Sequence, residues 1–276
     1  MLFAMDLIIS SLQLIILATE VVVGTLAGLS QSFPPMASIV STLYSVVLPL
    51  HVVAGFSALV SFWIPTLTRK GKRAHRLSGK VYVWLMWIVV LSAAALCLLK
   101  VAKGEYLGAA FLGFLSLITA QPLWYGIAVL RHKRELPRRV LLIRKVLSGL
   151  VSASALAMLI TAAYLRLQGP AVLLLIFGLL GIGSVKDVFK PMPTLRAAAH
   201  WLIDHLDGMI VSGIAAHTAF FAFGGNQFFT GLFVGPWVAI PWSLPTVIGV
   251  IAIRRMKRRY RSSPAHQPAS PVSAEA

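Results

Sequence analysis

The stretch from Arg69 to Ala102 reads RKGKRAHRLSGKVYVWLMWIVVLSAAALCLLKVA. Its opening turn holds Arg69, Lys70, Lys72, Arg73, Arg76 and Lys80 and no acidic residue. From Val81 to Leu99 no side chain is charged. An apolar run of about 20 residues is the length of an α-helix that crosses a ~30 Å hydrocarbon core. Basic residues at its edge mark the face of the membrane where the chain turns.

The same pattern repeats along the chain. Apolar spans are expected at 5–28, 38–66, 80–102, 106–130, 147–167, 170–185, 200–223 and 232–253. The expected fold is therefore all-α, a polytopic transmembrane helix bundle of about eight spans. Composition agrees: 58% of the 276 residues are hydrophobic and 12% charged, against roughly 45–50% and 25% in a soluble domain. A membrane β-barrel would show short alternating segments instead. One cysteine, Cys97, excludes a disulfide scaffold; in an apolar span it reads as a small packing residue.

The net charge of +17 sits in the loops. The segments 67–80, 131–145, 186–198 and 254–261 hold 22 of the 25 Lys and Arg; Lys100, Lys103 and Arg166 fall in the alternate loops. With eight spans the four basic segments share one side. The positive-inside rule makes that side cytoplasmic, with both termini there, and places the chain in a bacterial inner membrane. The matching partners are anionic lipids on that side, at roughly 1 kcal/mol per basic residue. Charge confined to inter-span loops does not suit a nucleic acid, which is excluded as a partner. Residues 1–261 form a single transmembrane domain. Residues 262–276, rich in Ser, Pro and Ala, are expected to be a disordered cytoplasmic tail.

Ionisable groups inside a bilayer are expensive, so each is a functional candidate. They are Glu20, His51, Asp204, His205, Asp207 and His217, with His75 and His200 at span edges. Four histidines have a glycine three or four residues away: His51 with Gly55, His75 with Gly79, His205 with Gly208, and His217 with Gly213. An imidazole can ligate haem iron, and a missing side chain lets the ring plane approach the helix. Haem b is thus a candidate cofactor, with His51, His75, His205 and His217 as ligands and the four glycines facing the ring. His51 and His217 would share the outer half, and His75 and His205 the cytoplasmic edge. His205 and His217 are 12 residues apart, about 120° in azimuth, which does not favour two haems stacked on one helix face. Small residues equally serve close helix packing. His132 and His266, in a basic loop and the tail, carry no role.

The stretches HVVAG (51–55) and RKGKRAHRLSGKVY (69–82) resemble a bacterial family of integral membrane proteins of unknown function. Its pattern is H-x3-G, a basic turn, then HR-x2-G-x2-Y. HLDGMIVSGIAAHTAF (205–220) is similar to a companion signature in such proteins. The resemblance covers about a third of the chain and implies a membrane bundle without fixing an activity. The layout is distantly similar to b-type cytochrome membrane domains, which place histidines on several helices.

Three functions stay open. The first is a haem-binding electron-transfer protein that exchanges single electrons with a quinone or another redox partner. The second is a zinc-dependent membrane hydrolase using His51, His200, Asp204 and His205. There the five-residue step from His200 to His205 leaves the two rings ~140° apart, against the i, i+4 spacing zinc prefers. The third is a transporter or structural protein, with Glu20 as coupling acid and broken helices at Gly178–Gly183 and Pro236–Pro245. No Walker loop, G-x-G-x-x-G, C-x-x-C-H or G-x-S-x-G motif occurs. Any chemistry must take place within the bundle or with a partner, and whether the chain is an enzyme stays open.

Overall fold

A bilayer offers the backbone no water to bond with, so apolar runs satisfy their amides within helices. The computed structural model describes residues 34–166, 171–189, 200–224 and 239–261, and every regular element among them is helical. In order these are α1 (Pro34–Leu67), α2 (Arg73–Ala102), α3 (Tyr106–Arg131), α4 (Arg138–Tyr164), α5 (Ala171–Ile182), α6 (Val185–Phe189), α7 (His200–Ala219) and α8 (Ala239–Arg261). α7 runs into a π-helical turn, Phe220–Gly224.

Five helical stretches are long and apolar enough to cross a membrane: Ala37–Leu67, Arg73–Ala102, Tyr106–Arg131, Arg138–Tyr164 and Ala171–Phe189. The expected span 5–28, the start of the expected last span and the tail 262–276 lie outside the described residues. α7 and α8 are helices where spans were expected, but they are less apolar. α7 carries His200, Asp204, His205, Asp207 and His217, and α8 ends in a basic run from Arg254 to Arg261. Two helices begin well before their apolar runs, α2 at Arg73 instead of 80 and α4 at Arg138 instead of 147. Long basic side chains let a helix extend into the interface, because their charged ends reach back to water. The Gly178–Gly183 run ends in a break: α5 stops at Ile182 and α6 starts at Val185.

Helices α1, α2, α3 and α7 form a ring in which each packs on the next and α7 closes back onto α1. Their shared interior holds Ala58, Tyr82, Met86 and Leu123, flanked by Phe62 and Met209. A second group, α3, α4 and α5, packs around Phe114, Val151, Ala155 and Phe177. α8 lies along α7, and α6 lies against α4. Gly71 and Gly104, at φ +79° and +76°, make the reversals between α1 and α2 and between α2 and α3. Glycine adopts that left-handed conformation without steric cost.

The basic segments meet at one end of the bundle. Arg144 lies over the Tyr125 ring at 4.0 Å and pairs with Asp187 at 3.2 Å. Lys133 lies over Trp201 at 4.6 Å, and Lys257 pairs with Asp207 at 2.5 Å. These contacts tie the starts of α4 and α7 to the ends of α3, α6 and α8. At the opposite end Lys100 pairs with Glu105, an exposed acid that this ammonium holds below the usual carboxylate range.

Lipid tails are as apolar as leucine, so close backbone approach, not burial from water, holds membrane helices together. α3 and α7 cross with almost no side chain between them. A Cβ on Gly208 would lie 2.5 Å from the Pro122 carbonyl oxygen and 2.7 Å from the Gly126 Cα. A Cβ on Gly126 would lie 2.8 Å from the Met209 methyl. By contrast, a Cβ on Gly149 in α4 meets nothing. Gly208→Ala should therefore cost about 1–3 kcal/mol by overpacking. Gly149→Ala should be neutral or gain up to about 1 kcal/mol of helix propensity. Thermal melts of the detergent-purified variants, followed by circular dichroism, check this; equal melting of the two variants would remove the crossing from its central place.

Candidate functional site

Four histidines of the helices are held in one common way. A backbone carbonyl can only accept, so an imidazole nitrogen bonded to one must carry the proton. His75 Nδ1 donates to the Pro65 carbonyl at 2.9 Å. His205 Nδ1 donates to the Gly126 carbonyl at 2.8 Å, and His217 Nδ1 to the Gly213 carbonyl at 2.7 Å. His51 Nδ1 lies 2.9 Å from Ser92 Oγ. That hydroxyl spends its own proton on the Ile88 carbonyl at 2.6 Å, so it accepts from His51. In the neutral ring each Nε2 then keeps its lone pair. Such second contacts fix the tautomer and aim of metal-ligating imidazoles.

The carbonyl under His75 is itself a consequence of helix ending. The last carbonyls of α1 have no intrahelical donor. Lys70 Nζ reaches back to Pro65 O at 2.8 Å and Thr66 O at 2.6 Å, and His75 shares Pro65 O. Lys70 is placed by the negative end of the helix dipole. Its ammonium, partly drawn out of water, is held below the ordinary lysine value.

His75 and Lys70 lie in the neighbourhood of His205 at the basic end, where α2 and α7 share the ring of helices. The structure does not bring His51 and His217 together. The His217 ring packs edge-on against Phe62 and Trp63, at centroid distances of 5.3 and 5.7 Å. Phe62 is eleven residues along α1 from His51, about 17 Å of helix rise. The expected sharing of one ligand between His51 and His217 is thus opposed by the long, continuous α1.

The glycines divide in the same way. Gly55 has open space where a Cβ would be, and Gly79 meets only the Pro65 Cβ at 4.0 Å. The room beside Gly213 is filled by the Phe62 ring, 2.3 Å from a built Cβ, and the room beside Gly208 by α3. Gly208 and Gly213 therefore serve helix packing, while Gly55 and Gly79 leave a surface that a flat ring could approach.

Asp204 accepts a hydrogen bond from Tyr125 at 3.0 Å, Asp207 pairs with Lys257, and His200 is exposed. Among the described residues no three His, Cys, Asp or Glu side chains converge as a metal site. The set His51, His200, Asp204 and His205 is accordingly not gathered. Glu20 lies outside the described residues.

Sequence reasoning passed over Tyr82, although it closes the His-Arg-Gly-Tyr pattern. Tyr82 is 2% exposed and donates to Ser212 Oγ at 2.9 Å, and Ser212 donates on to the Met209 carbonyl at 2.9 Å. Its ring also touches Phe62 at 5.4 Å. It ties α1, α2 and α7 between the level of His205 and that of His217. Ser92 was missed too; a serine in mid-span was the available signal.

Comparison with protein families, with curated proteins and with solved structures finds no match. The site is read from its own chemistry.

The Tyr82–Ser212 bond gives an asymmetric prediction. Tyr82→Phe removes one bond and leaves Ser212 bonded to Met209, at a cost of about 0.5–1.5 kcal/mol. Ser212→Ala strands a buried phenol hydroxyl and should cost more, about 1–3 kcal/mol. Denaturation of the two variants in detergent should rank them in that order; the reverse ranking would place the phenol's partner elsewhere.

Proposed function

We propose that the chain is a multi-pass protein of the bacterial inner membrane that holds b-type haem and passes single electrons. His75 and His205 form its first ligand pair, and His51 is a further candidate ligand. In this reading the bundle has eight spans, its basic end is cytoplasmic and both termini lie there. A quinone or a redox protein is the electron partner, and anionic lipids surround the basic end.

One observation carries the reading. Imidazoles from two different helices lie at one edge of the bundle, each with Nδ1 committed to a backbone carbonyl and Nε2 left as a lone pair. The donor set suits a b-type haem: two neutral imidazoles, no cysteine, an open glycine beside His75 and a basic turn for the propionates. A bound haem would supply one-electron chemistry. The chain's own residues aim the imidazoles, keep them in the Nδ1-protonated tautomer, and place Lys70, Lys72 and Arg73 at the same edge.

The test is an absorption spectrum of protein expressed with ample haem, oxidised and dithionite-reduced. The intact chain should show a Soret band and a reduced α-band. His75→Ala and His205→Ala should each lose most of the signal, and His132→Ala should keep it. A flat spectrum from the intact chain would overturn the reading, and stoichiometric zinc in its place would return the histidines to hydrolytic chemistry.

A further inference from the structure

A lateral groove opens between α1 and α2 toward the bilayer. Phe56, Val60, Ser61 and Ile64 line it from α1, and Val81 and Leu85 from α2. From Phe56 to Ile64 it follows the helix for about 12 Å. Val60, Ile64 and Val81 are all about half exposed or more, so the groove is open along its length. Gly55 and Gly79 add no side chain at its two ends. At the basic end, Ile64 lies one turn from Thr68, and Val81 adjoins Lys80. Thr68 Oγ1 is buried and has no hydrogen-bond partner among the described residues. The turn beyond it carries Arg69, Lys72, Arg73, Arg76 and Lys80, none of which makes an ion pair among the described residues. At the same end Asp187 of α6 and Asp207 of α7 are spent on Arg144 and Lys257, Asp204 of α7 accepts from Tyr125, and Glu135 lies in the turn after α3.

These features describe one occupant. A linear apolar chain fits the groove, and an acceptor-rich anionic head fits its mouth. We propose that this groove is a specific site for one anionic phospholipid. An acyl chain lies along α1 between Phe56 and Ile64, and the phosphate sits on the basic turn 69–73. Charge complementarity selects the head: among the described residues the mouth has cations without counter-ions. A zwitterionic lipid would bring its own cation into that cluster. The site uses neither imidazole but shares Lys72, Arg73 and the open surface at Gly79 with the haem reading, and the lipid assay reads it apart from any Soret band.

The test is native mass spectrometry of the detergent-purified full chain with dioleoyl phosphatidylglycerol or dioleoyl phosphatidylcholine, which share their acyl chains. Phosphatidylglycerol should be retained about fivefold or more above phosphatidylcholine. Lys72→Gln with Arg73→Gln and Arg76→Gln should bring the two lipids level. Val60→Trp, which fills the groove and keeps every charge, should lower phosphatidylglycerol retention about fivefold. Arg138→Gln with Arg139→Gln, basic residues of another turn, should stay within about twofold of the parent. Equal retention of both lipids by the parent overturns the proposal. So does an equal loss in the Arg138 and Arg139 variant, which means diffuse charge alone. Unchanged retention in Val60→Trp, or displacement by glycerol 3-phosphate at equal concentration, overturns it in favour of a free phosphate site.

Discussion

Backbone meets backbone where α3 crosses α7, and the placement of the polar residues follows from that contact. Gly126 and Gly208 leave no room for a methyl group on either side. With the two axes locked at that distance, the Gly126 carbonyl comes within reach of His205, three residues before Gly208. One turn away, Tyr125 meets Asp204. A wider crossing would break both bonds, because a carbonyl and an imidazole bond over less than 3.2 Å. In lipid there is no hydrophobic gain to restore the lost contact. Pro122 sits at the same crossing and faces Gly208 through its carbonyl. The crossing thus joins a packing device to a polar one.

A second constraint is that every intramembrane polar group must find a partner inside the protein. The chain meets it mostly with serine and threonine bonded back to their own helix, as Ser61 does to Ala58 and Ser152 to Ser148. Other polar groups bridge helices: Ser116 donates to the Val90 carbonyl, and Gln121 to Ser148. The histidines follow the same economy with one nitrogen and break it with the other. A carbonyl takes Nδ1 of His75, His205 and His217, a serine hydroxyl takes that of His51, and among the described residues no hydrogen bond to an Nε2 occurs. Among the same residues the buried side-chain atoms without a partner are instead Thr68 Oγ1, Arg144 Nε, Asp207 Oδ1 and Thr218 Oγ1. The four Nε2 atoms are therefore not buried orphans, and a group that reaches them comes from outside the packed core.

Much of this was legible in the sequence. The run from Val81 to Leu99 and its basic flank specify a membrane helix by length and charge alone, and α2 contains it. The gathering of basic loops at one end was also readable, because only alternating spans put Arg144, Lys133 and Lys257 on the same side. Helix starts were not readable, since apolarity ends before the helix does when arginine and lysine can reach water, as at Arg73 and Arg138. The glycines were ambiguous for a physical reason: the same missing side chain admits a cofactor at Gly55 or a neighbouring helix at Gly208. Only the position of α3 distinguishes them. Tyr82 and Ser212 are 130 residues apart, and no local pattern announces a bond over that separation.

The basic end joins orientation to structure. Positive charge there was read as a topological signal, yet several of those cations hold the fold: Arg144 links α4 to Tyr125 and Asp187, and Lys257 links α8 to α7. Lys70 closes the last turn of α1. Among the described residues the cations that do none of this fall mainly in two segments: Arg69, Lys72, Arg73, Arg76 and Lys80 before α2, and Arg131, Arg134, Arg138, Arg139 and Lys145 from the end of α3 to the start of α4. The positive-inside rule counts charges by side and not by loop, so both segments serve orientation alike. What sets the first apart is the apolar groove between α1 and α2 that ends beside it, so at that turn the topology signal and the proposed binding chemistry fall on the same residues.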